Sequence, residues 1–199
     1  MALHDKDIRE PLFDFLEETY GRVRVIEEKM MGRSRADVVM VMEDVLCGIE
    51  IKSDADTYER LSRQVRDYDL YYDINMVVVG STHGNHIREH IPDYWGVITV
   101  EKDPNGLDFY ILRDPGRNPK MKPERKIGIL WRTELNRILE KNGLPRYKEK
   151  SKRFVTGKIL EKVPADLLSK QISEELFERD YTTIGQEIEA YRKKKGNHV

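Results

Sequence analysis

The sequence predicts an α/β fold with a mixed central sheet flanked by helices and a helical C-terminal extension. Apolar segments of strand length alternate with amphipathic helical segments as far as residue 112, and beyond residue 119 only helical periodicity remains. Residues 75–80 form a continuous apolar run, which is typical of a buried central strand. A strand–helix–strand step that follows an antiparallel meander implies a mixed sheet with helices on both faces.

The predicted core has the order helix, three strands, helix, strand, with additions. Its clearest helix covers residues 54–72, because apolar side chains recur there at steps of three and four. The other elements of this part are predicted as a helix at 5–19, strands at 23–30, 36–42, 46–52, 75–80, 96–101 and 107–112, and a short helix at 85–90.

Residues 114–119, with two prolines and a glycine, predict a linker between two domains. Residues 1–118 are then the α/β core, and residues 119–199 are a helical, basic extension that would form a DNA-binding module. Helices are predicted in the extension at 124–141, 154–160, 167–177 and 184–191.

Composition narrows the class of protein. The sequence has no apolar run near the roughly 20 residues that a membrane span needs. The N-terminus carries acidic residues and lacks the apolar region of a signal peptide. The single cysteine, Cys47, has no internal partner and lies in a predicted strand, so a buried thiol in a cytoplasmic protein is expected.

The net charge of −1 combines an acidic part, a basic part and residues 171–199, which carry −1. Residues 1–119 carry −9, and residues 120–170 carry +9. An acidic part beside a basic part suits a metal-binding unit joined to a phosphate-binding unit. Charge pairing between two halves of one domain is the alternative explanation.

The most informative residues are Asp37, Glu50 and Lys52, which lie on two predicted strands joined by a turn. A hairpin of this length can bring Asp37 beside Glu50. Alternate residues of a strand share a face, so Glu50 and Lys52 point one way and Ile51 points the other. Two carboxylates and an ammonium group would then meet at one place.

That grouping suits metal-dependent hydrolysis of a phosphodiester. Hard cations such as Mg²⁺ or Mn²⁺ take oxygen ligands, which Asp37, Glu50 and the main-chain carbonyl of Ile51 would provide. A bound metal activates water and neutralises charge on the phosphate oxygens. Lys52 would hold the attacking water or stabilise the negative charge of the transition state.

Asp37 followed by Glu50-Ile51-Lys52, in this order of elements, resembles the PD-(D/E)XK nuclease superfamily with its restriction-endonuclease-like fold. Gln64 and Tyr68 are similar to the Gln-x-x-x-Tyr signature of its RecB-like members, in which the glutamine lies near the active site. The residue before the aspartate is Ala36, where the superfamily usually has proline. An additional N-terminal glutamate is common in the superfamily, and Glu28 is favoured here over Glu27, Glu18 and Glu10.

The resemblance covers roughly residues 5–112 and implies a deoxyribonuclease that needs Mg²⁺ or Mn²⁺. Its catalytic residues would be Asp37, Glu50, Lys52, Gln64 and Glu28. The alternative is a nucleic-acid-binding or protein-interaction module that keeps the nuclease-like fold without turnover. The sequence does not decide whether the DNA substrate is single-stranded or duplex. It also does not decide whether two copies of the chain pair to cut both strands.

Residues 146–153 form a basic run that would bind phosphate backbones without reading sequence. The predicted nucleic-acid contacts are Lys148, Lys150, Lys152, Arg153, Arg35 and Tyr68. Tyr68 also lies on the apolar stripe of its helix, so a place in the core is its alternative.

Overall fold

The computed structural model describes residues 4–53, 56–80, 84, 86–104 and 106–179. Six strands form one sheet: β1 Arg24–Met31, β2 Ser34–Val41, β3 Leu46–Lys52, β4 Ile74–Gly80, β5 Gly96–Asp103 and β6 Gly106–Arg113. The helices are α1 Asp5–Tyr20, α2 Leu61–Tyr71, α3 Pro123–Ile127, α4 Arg132–Lys141, α5 Lys152–Lys162 and α6 Ala165–Phe177. Short 3₁₀ turns occupy Tyr58–Arg60 and Ile87–Glu89.

The strands lie in chain order across the sheet, from β1 to β6. β1, β2 and β3 form an antiparallel meander, β3, β4 and β5 are parallel, and β6 returns antiparallel to β5. Each parallel step needs a crossover, which α2 and then the segment around Ile87–Glu89 supply. The predicted mixed sheet flanked by helices is confirmed.

Two hydrophobic clusters cover the two faces of the sheet. On one face, Ile8, Leu12 and Leu16 of α1 pack on alternate strand residues such as Val38 and Ile49. On the other face, α2 and the C-terminal helices bury the intervening strand residues. The alternation of β3 therefore places Glu50 and Lys52 on the face that α2 covers, while Ile51 packs on the α1 side.

The predicted helix at residues 54–72 begins later than its apolar pattern suggests. A 3₁₀ turn at Tyr58–Arg60 precedes α2, and residues 54 and 55 lie outside the described residues. The stripe itself is confirmed, since Leu61, Val65 and Tyr68 are buried against the sheet.

The single helix predicted at residues 124–141 is wrong, because α3 and α4 are separate helices. The break falls at residues 128–131, where Gly128 disfavours continuation and Trp131 caps α4. The Trp131 N–H donates to the Glu134 carboxylate at 2.6 Å, which satisfies a free amide at the start of α4. The helix predicted at residues 184–191 lies outside the described residues.

The predicted linker is fixed to the core. Asn118 is buried, and its side-chain amide donates to the main-chain carbonyls of Asp69 (2.9 Å) and Tyr72 (2.7 Å). Helices α3 to α6 share one hydrophobic cluster with the sheet. The domain boundary at residue 118 stays a prediction, but the described part of the extension packs directly on the core.

Two expectations from composition concern the fold. Cys47 is fully buried with a free thiol, as predicted, and burial raises its pKa above the ordinary range. Within the described residues, none of the helices has the length and apolar character needed to span a bilayer.

Candidate functional site

The β2–β3 hairpin brings the Asp37 carboxylate to the backbone of β3. Regular pairing of these strands ends at Val38 and Ile49. One residue further on, Asp37 Oδ2 accepts a hydrogen bond of 2.9 Å from the Ile51 N–H. A side-chain carboxylate therefore takes the place of a main-chain acceptor, and the two strands separate where Asp37 and Glu50 face each other.

Glu50, Lys52 and Gln64 form a closed ring of contacts beneath α2. Lys52 Nζ lies 2.8 Å from Glu50 Oε1 and 3.0 Å from Gln64 Oε1. The Gln64 side-chain N–H donates to the same Glu50 oxygen. The side chains of Glu50 and Lys52 are only 1% and 7% exposed, so a charged pair is held out of water. Such a pair is stable only when well hydrogen-bonded, which Gln64 ensures.

Tyr68 links the two carboxylate-bearing strands. Its hydroxyl donates to Glu50 Oε2 at 2.8 Å and accepts from the Asp37 N–H at 3.2 Å. The ring is fully buried, so the prediction that Tyr68 contacts nucleic acid is wrong and its alternative as a core residue holds. Gln64 and Tyr68 lie one helical turn apart on the same side of α2, and each holds one oxygen of Glu50.

The absence of a side chain at Gly48 leaves space for the rings of Tyr68 and Tyr72. A Cβ at Gly48 would lie 2.6 Å from Tyr68 Cδ1 and 2.3 Å from Tyr72 Cδ2. No real contact is that short, so the glycine permits α2 to approach β3 closely enough for its hydroxyl and amide groups to reach Glu50.

Arg9 of α1 reaches the same strand ends from the other side. Its guanidinium group bonds the Asp5 carboxylate at 2.8 and 3.0 Å and Glu27 at 3.1 Å. It also donates to the Asp37 main-chain oxygen at 3.4 Å and lies 3.8 Å from Asp37 Oδ1. Arg9 thus offsets part of the negative charge of the acidic side chains around Asp37. Sequence reasoning missed Arg9, since the only local signal is its spacing of four from Asp5 on a helix.

Glu28 is near Asp37 but outside the Glu50–Lys52–Gln64 ring. The β1–β2 register pairs Glu27 with Val38 and Lys29 with Ala36, leaving Glu28 opposite Asp37. Glu28 has a φ of +53°, which is costly for a residue with a side chain. Its carboxylate bonds Arg35 at 2.9 Å and lies 3.9 Å from Arg9. The structure therefore places two of the predicted residues, Glu28 and Arg35, in an ion pair with each other.

Burial and the neighbouring Glu50 charge raise the pKa of Asp37 to about 7, against the hydrogen bond from Ile51. The folded protein therefore binds this proton more tightly than the unfolded chain, whose value is 3.8. Stability from this group is complete below about pH 4 and is lost as pH rises to about 7.

Above about pH 7 the ionised Asp37 carboxylate destabilises the folded protein. We expect Asp37→Asn to remove this destabilisation in the metal-free protein. The free energy of unfolding in EDTA should exceed that of the wild type by about 2 kcal/mol at pH 8, and by much less at pH 4. Urea denaturation of both proteins at the two pH values measures the difference. A difference independent of pH would contradict the raised pKa of Asp37.

The oxygen atoms of Asp37, Glu50 and Ile51 suit a hard cation, although these ligands are few. Among the described residues, no group of three or more His, Cys, Asp or Glu side chains is arranged to hold a metal. Asp37 and Glu50 nevertheless supply one partly buried and one buried carboxylate on neighbouring strands, and a divalent cation relieves the repulsion between such like charges. The Ile51 carbonyl is the remaining oxygen that the sequence predicts as a ligand.

The predicted basic run lies on the surface, and within the described residues none of its hydrogen bonds reaches this ring. Lys148, Lys150, Lys152 and Arg153 are exposed. Arg132 organises the loop before α5, because its guanidinium group donates to the carbonyls of Tyr147 (2.7 Å) and Lys150 (2.9 Å). Lys152 donates to the Gly128 carbonyl at 2.7 Å, so part of its hydrogen-bonding capacity is used within the protein.

A separate groove of about 1160 Å³ lies beside the β2–β3 turn and α6. Its lining includes none of the predicted site residues. Ion pairs occupy much of its charged surface, among them Arg137 with Glu175 at 2.6 Å and Lys141 with Glu174 at 2.9 Å. Its two buried carboxylates, Glu134 and Glu175, are each paired with an arginine, Arg179 and Arg137 respectively.

Fold and site together define a mixed α/β protein with a buried carboxylate–lysine–glutamine ring on a central strand. The chain belongs to the bacteriophage P4 protein cII family, whose model matches residues 2–195. No curated protein matches the sequence.

Among solved structures, the chain is similar to the SPO1766 protein of unknown function from Silicibacter pomeroyi. The two share 20% sequence identity over 57% of this chain and 72% of that chain, with a TM-score of 0.43. Neither the name of the bacteriophage P4 protein cII family nor that of the SPO1766 protein mentions a nuclease.

Proposed function

We propose that this protein is a metal-dependent nuclease that hydrolyses phosphodiester bonds of DNA. The observation that carries the proposal is the convergence of Asp37, Glu50, Lys52 and Gln64 at the point where β2 and β3 separate. A buried ammonium group beside a buried carboxylate is costly to maintain, and active sites are where such groups concentrate.

Asp37, Glu50 and the Ile51 carbonyl would hold Mg²⁺ or Mn²⁺. Such a metal, when bound, activates water and neutralises charge on a phosphate. Lys52, whose Nζ lies 2.8 Å from Glu50 Oε1, would stabilise negative charge on the phosphate oxygens in the transition state. Gln64 and Tyr68 position Glu50 by holding one carboxylate oxygen each, and Gln64 also holds Lys52.

The order of elements supports a restriction-endonuclease-like core as part of the proposal. α1, β1, β2, β3, α2 and β4 follow one another in the order helix, three strands, helix, strand that the resemblance implies. The site occupies β2, β3 and α2 of this unit, where the superfamily pattern places it.

DNA is the proposed substrate and binding partner. The exposed cations of residues 148–153 offer contacts to phosphates at the start of α5. That segment lies in the basic part of the chain, which carries +9 over residues 120–170. A positive surface raises the association rate with a polyanion and makes affinity depend on salt.

A non-catalytic binding module is the second candidate, and one observation favours it. Both oxygens of Glu50 already accept hydrogen bonds from protein donors, and Arg9 lies 3.8 Å from Asp37 Oδ1. The carboxylates are thus largely satisfied by the protein itself. On this alternative, DNA affinity would be strongly dependent on salt and indifferent to Asp37→Ala.

We expect the wild type to convert circular single-stranded or supercoiled duplex DNA into cut products with Mn²⁺ or Mg²⁺. EDTA and Glu50→Gln should each prevent cleavage, the latter because it removes one of two anionic ligands while keeping the shape of the side chain. Linear DNA run in parallel detects an exonuclease. If circles and linear DNA both survive with every metal, the binding module becomes the better explanation.

A further inference from the structure

We propose that a row of arginines on the β1–β2 hairpin, the 3₁₀ turn before α2 and α2 itself binds the phosphodiester backbone of a nucleic-acid strand beside the site. The arginine row consists of Arg33, Arg60, Arg63 and Arg66. This proposal deepens the nuclease proposal and takes its substrate class, nucleic acid, from it. The binding that it predicts can be measured without cleavage.

All four arginines of the row lie at the surface of the part of the chain that the structure describes. The four residues are exposed, and none forms an ion pair or side-chain hydrogen bond with any described residue. Within the described residues, the acidic groups beside the row form no ion pair with it. Asp67 accepts a hydrogen bond from the Ser34 hydroxyl, and Glu59 makes no ion pair within the described part of the chain.

Unpaired cations in a row repel one another, and a polyanion relieves that repulsion. Arg60, Arg63 and Arg66 recur every three residues, so successive side chains lie about 4.5 Å apart along the helix axis on one side. Guanidinium groups bind phosphate through paired N–H donors, which makes arginine well suited to a phosphodiester backbone.

The hairpin extends this row because it is attached to α2. The Ser34 hydroxyl bonds Asp67, and a Cβ at Gly32 would lie 3.5 Å from the same carboxylate. Asp67 directly follows Arg66 in the chain, so the hairpin tip with Arg33 is held beside the end of the row.

The row lies beside the site because both are built on α2. Gln64 directs its amide to Glu50 and Lys52, while Arg63 precedes it in the chain and Arg60 lies one turn earlier. A strand held along these arginines therefore passes close to the Glu50–Lys52–Gln64 ring. The basic run at residues 146–153 is less free, since Arg146 pairs with Glu140 at 3.0 Å and Lys152 bonds Gly128.

The test measures binding without catalysis. Affinity for a short fluorescein-labelled single-stranded DNA is determined by fluorescence anisotropy in EDTA, at about 50 and 200 mM salt. The double variant Arg63→Gln/Arg66→Gln is compared with Lys162→Gln/Lys170→Gln, which removes two exposed cations from α5 and α6. Circular dichroism checks that both variants are folded.

We expect the arginine variant to bind about 10-fold or more weakly at low salt, and its salt dependence to fall by about 0.7 per lost phosphate contact. The control variant should bind nearly as the wild type does. Equal losses in the two double variants, or no DNA binding by the wild type, would overturn the proposal. Binding that depends on the row, in a protein that cuts nothing with any metal, would keep the row and refute the nuclease.

Discussion

Replacing Lys52 by methionine is expected to reduce DNA cleavage by about 10³-fold while leaving DNA and metal binding largely intact. Removing one group that stabilises transition-state charge typically costs 10²–10³ in rate. Methionine keeps much of the volume of the buried side chain, so the ring loses its ammonium group without a large cavity. Lys52→Ala should abolish cleavage in the same way. Initial rates of cleavage under saturating Mn²⁺ measure the effect.

A control variant at a second buried lysine distinguishes a loss of catalysis from a loss of folding stability. Lys126 is 2% exposed and pairs with Asp73 at 2.7 Å, away from the ring. Lys126→Met should destabilise the fold, because it leaves a carboxylate without its buried partner, yet cleavage below the melting temperature should persist. If Lys52→Met cuts DNA as fast as the wild type, Lys52 has no part in the reaction.

Replacing Gly48 by alanine is expected to reduce the free energy of unfolding by about 3 kcal/mol, which is at the upper end for overpacking. The added Cβ would lie within 2.6 Å of both Tyr68 and Tyr72, and the strand is central, between β2 and β4. Neither ring can leave without opening the core, because both are fully buried. Urea denaturation monitored by circular dichroism measures the loss.

The matched control is Gly157→Ala on the exposed side of α5. A Cβ at Gly157 meets nothing within 4 Å, and alanine favours a helix over glycine. This variant should be more stable than the wild type by about 0.5–1 kcal/mol. If Gly48→Ala is as stable as the wild type, the tight contact between β3 and the two tyrosines is not present in solution.

The sequence located most of the ring because strand and helix periodicities are local. Alternation along β3 puts Glu50 and Lys52 on one face, and the stripe of α2 turns Gln64 and Tyr68 toward it. Tyr68 shows where this reasoning stops. Its position on the stripe predicts burial, but only the packed structure shows that its hydroxyl holds Glu50 and the Asp37 N–H.

Contacts between elements far apart in the chain could not be predicted in this way. Helix α3 ends and α4 begins within one amphipathic pattern, and the Glu134 carboxylate that accepts from the Trp131 main-chain N–H at the start of α4 is buried against Arg179. Likewise, residues 114–119 have the composition of a linker, yet Asn118 is fixed by the carbonyls at the end of α2. The composition of residues 114–119 predicts a flexible segment, but tertiary hydrogen bonds hold that segment in one conformation.

The sequence by itself determined the order of the six strands, the face of β3 that carries Glu50 and Lys52, and the apolar stripe of α2. Only the tertiary structure decided that Arg9 crosses from α1 to Asp37 and that Glu28 pairs with Arg35. It also decided that Asp37 is buried deeply enough to raise its pKa. The physical reason is that periodicity is set within a few residues, whereas burial and charge pairing depend on which surfaces meet after the chain has folded.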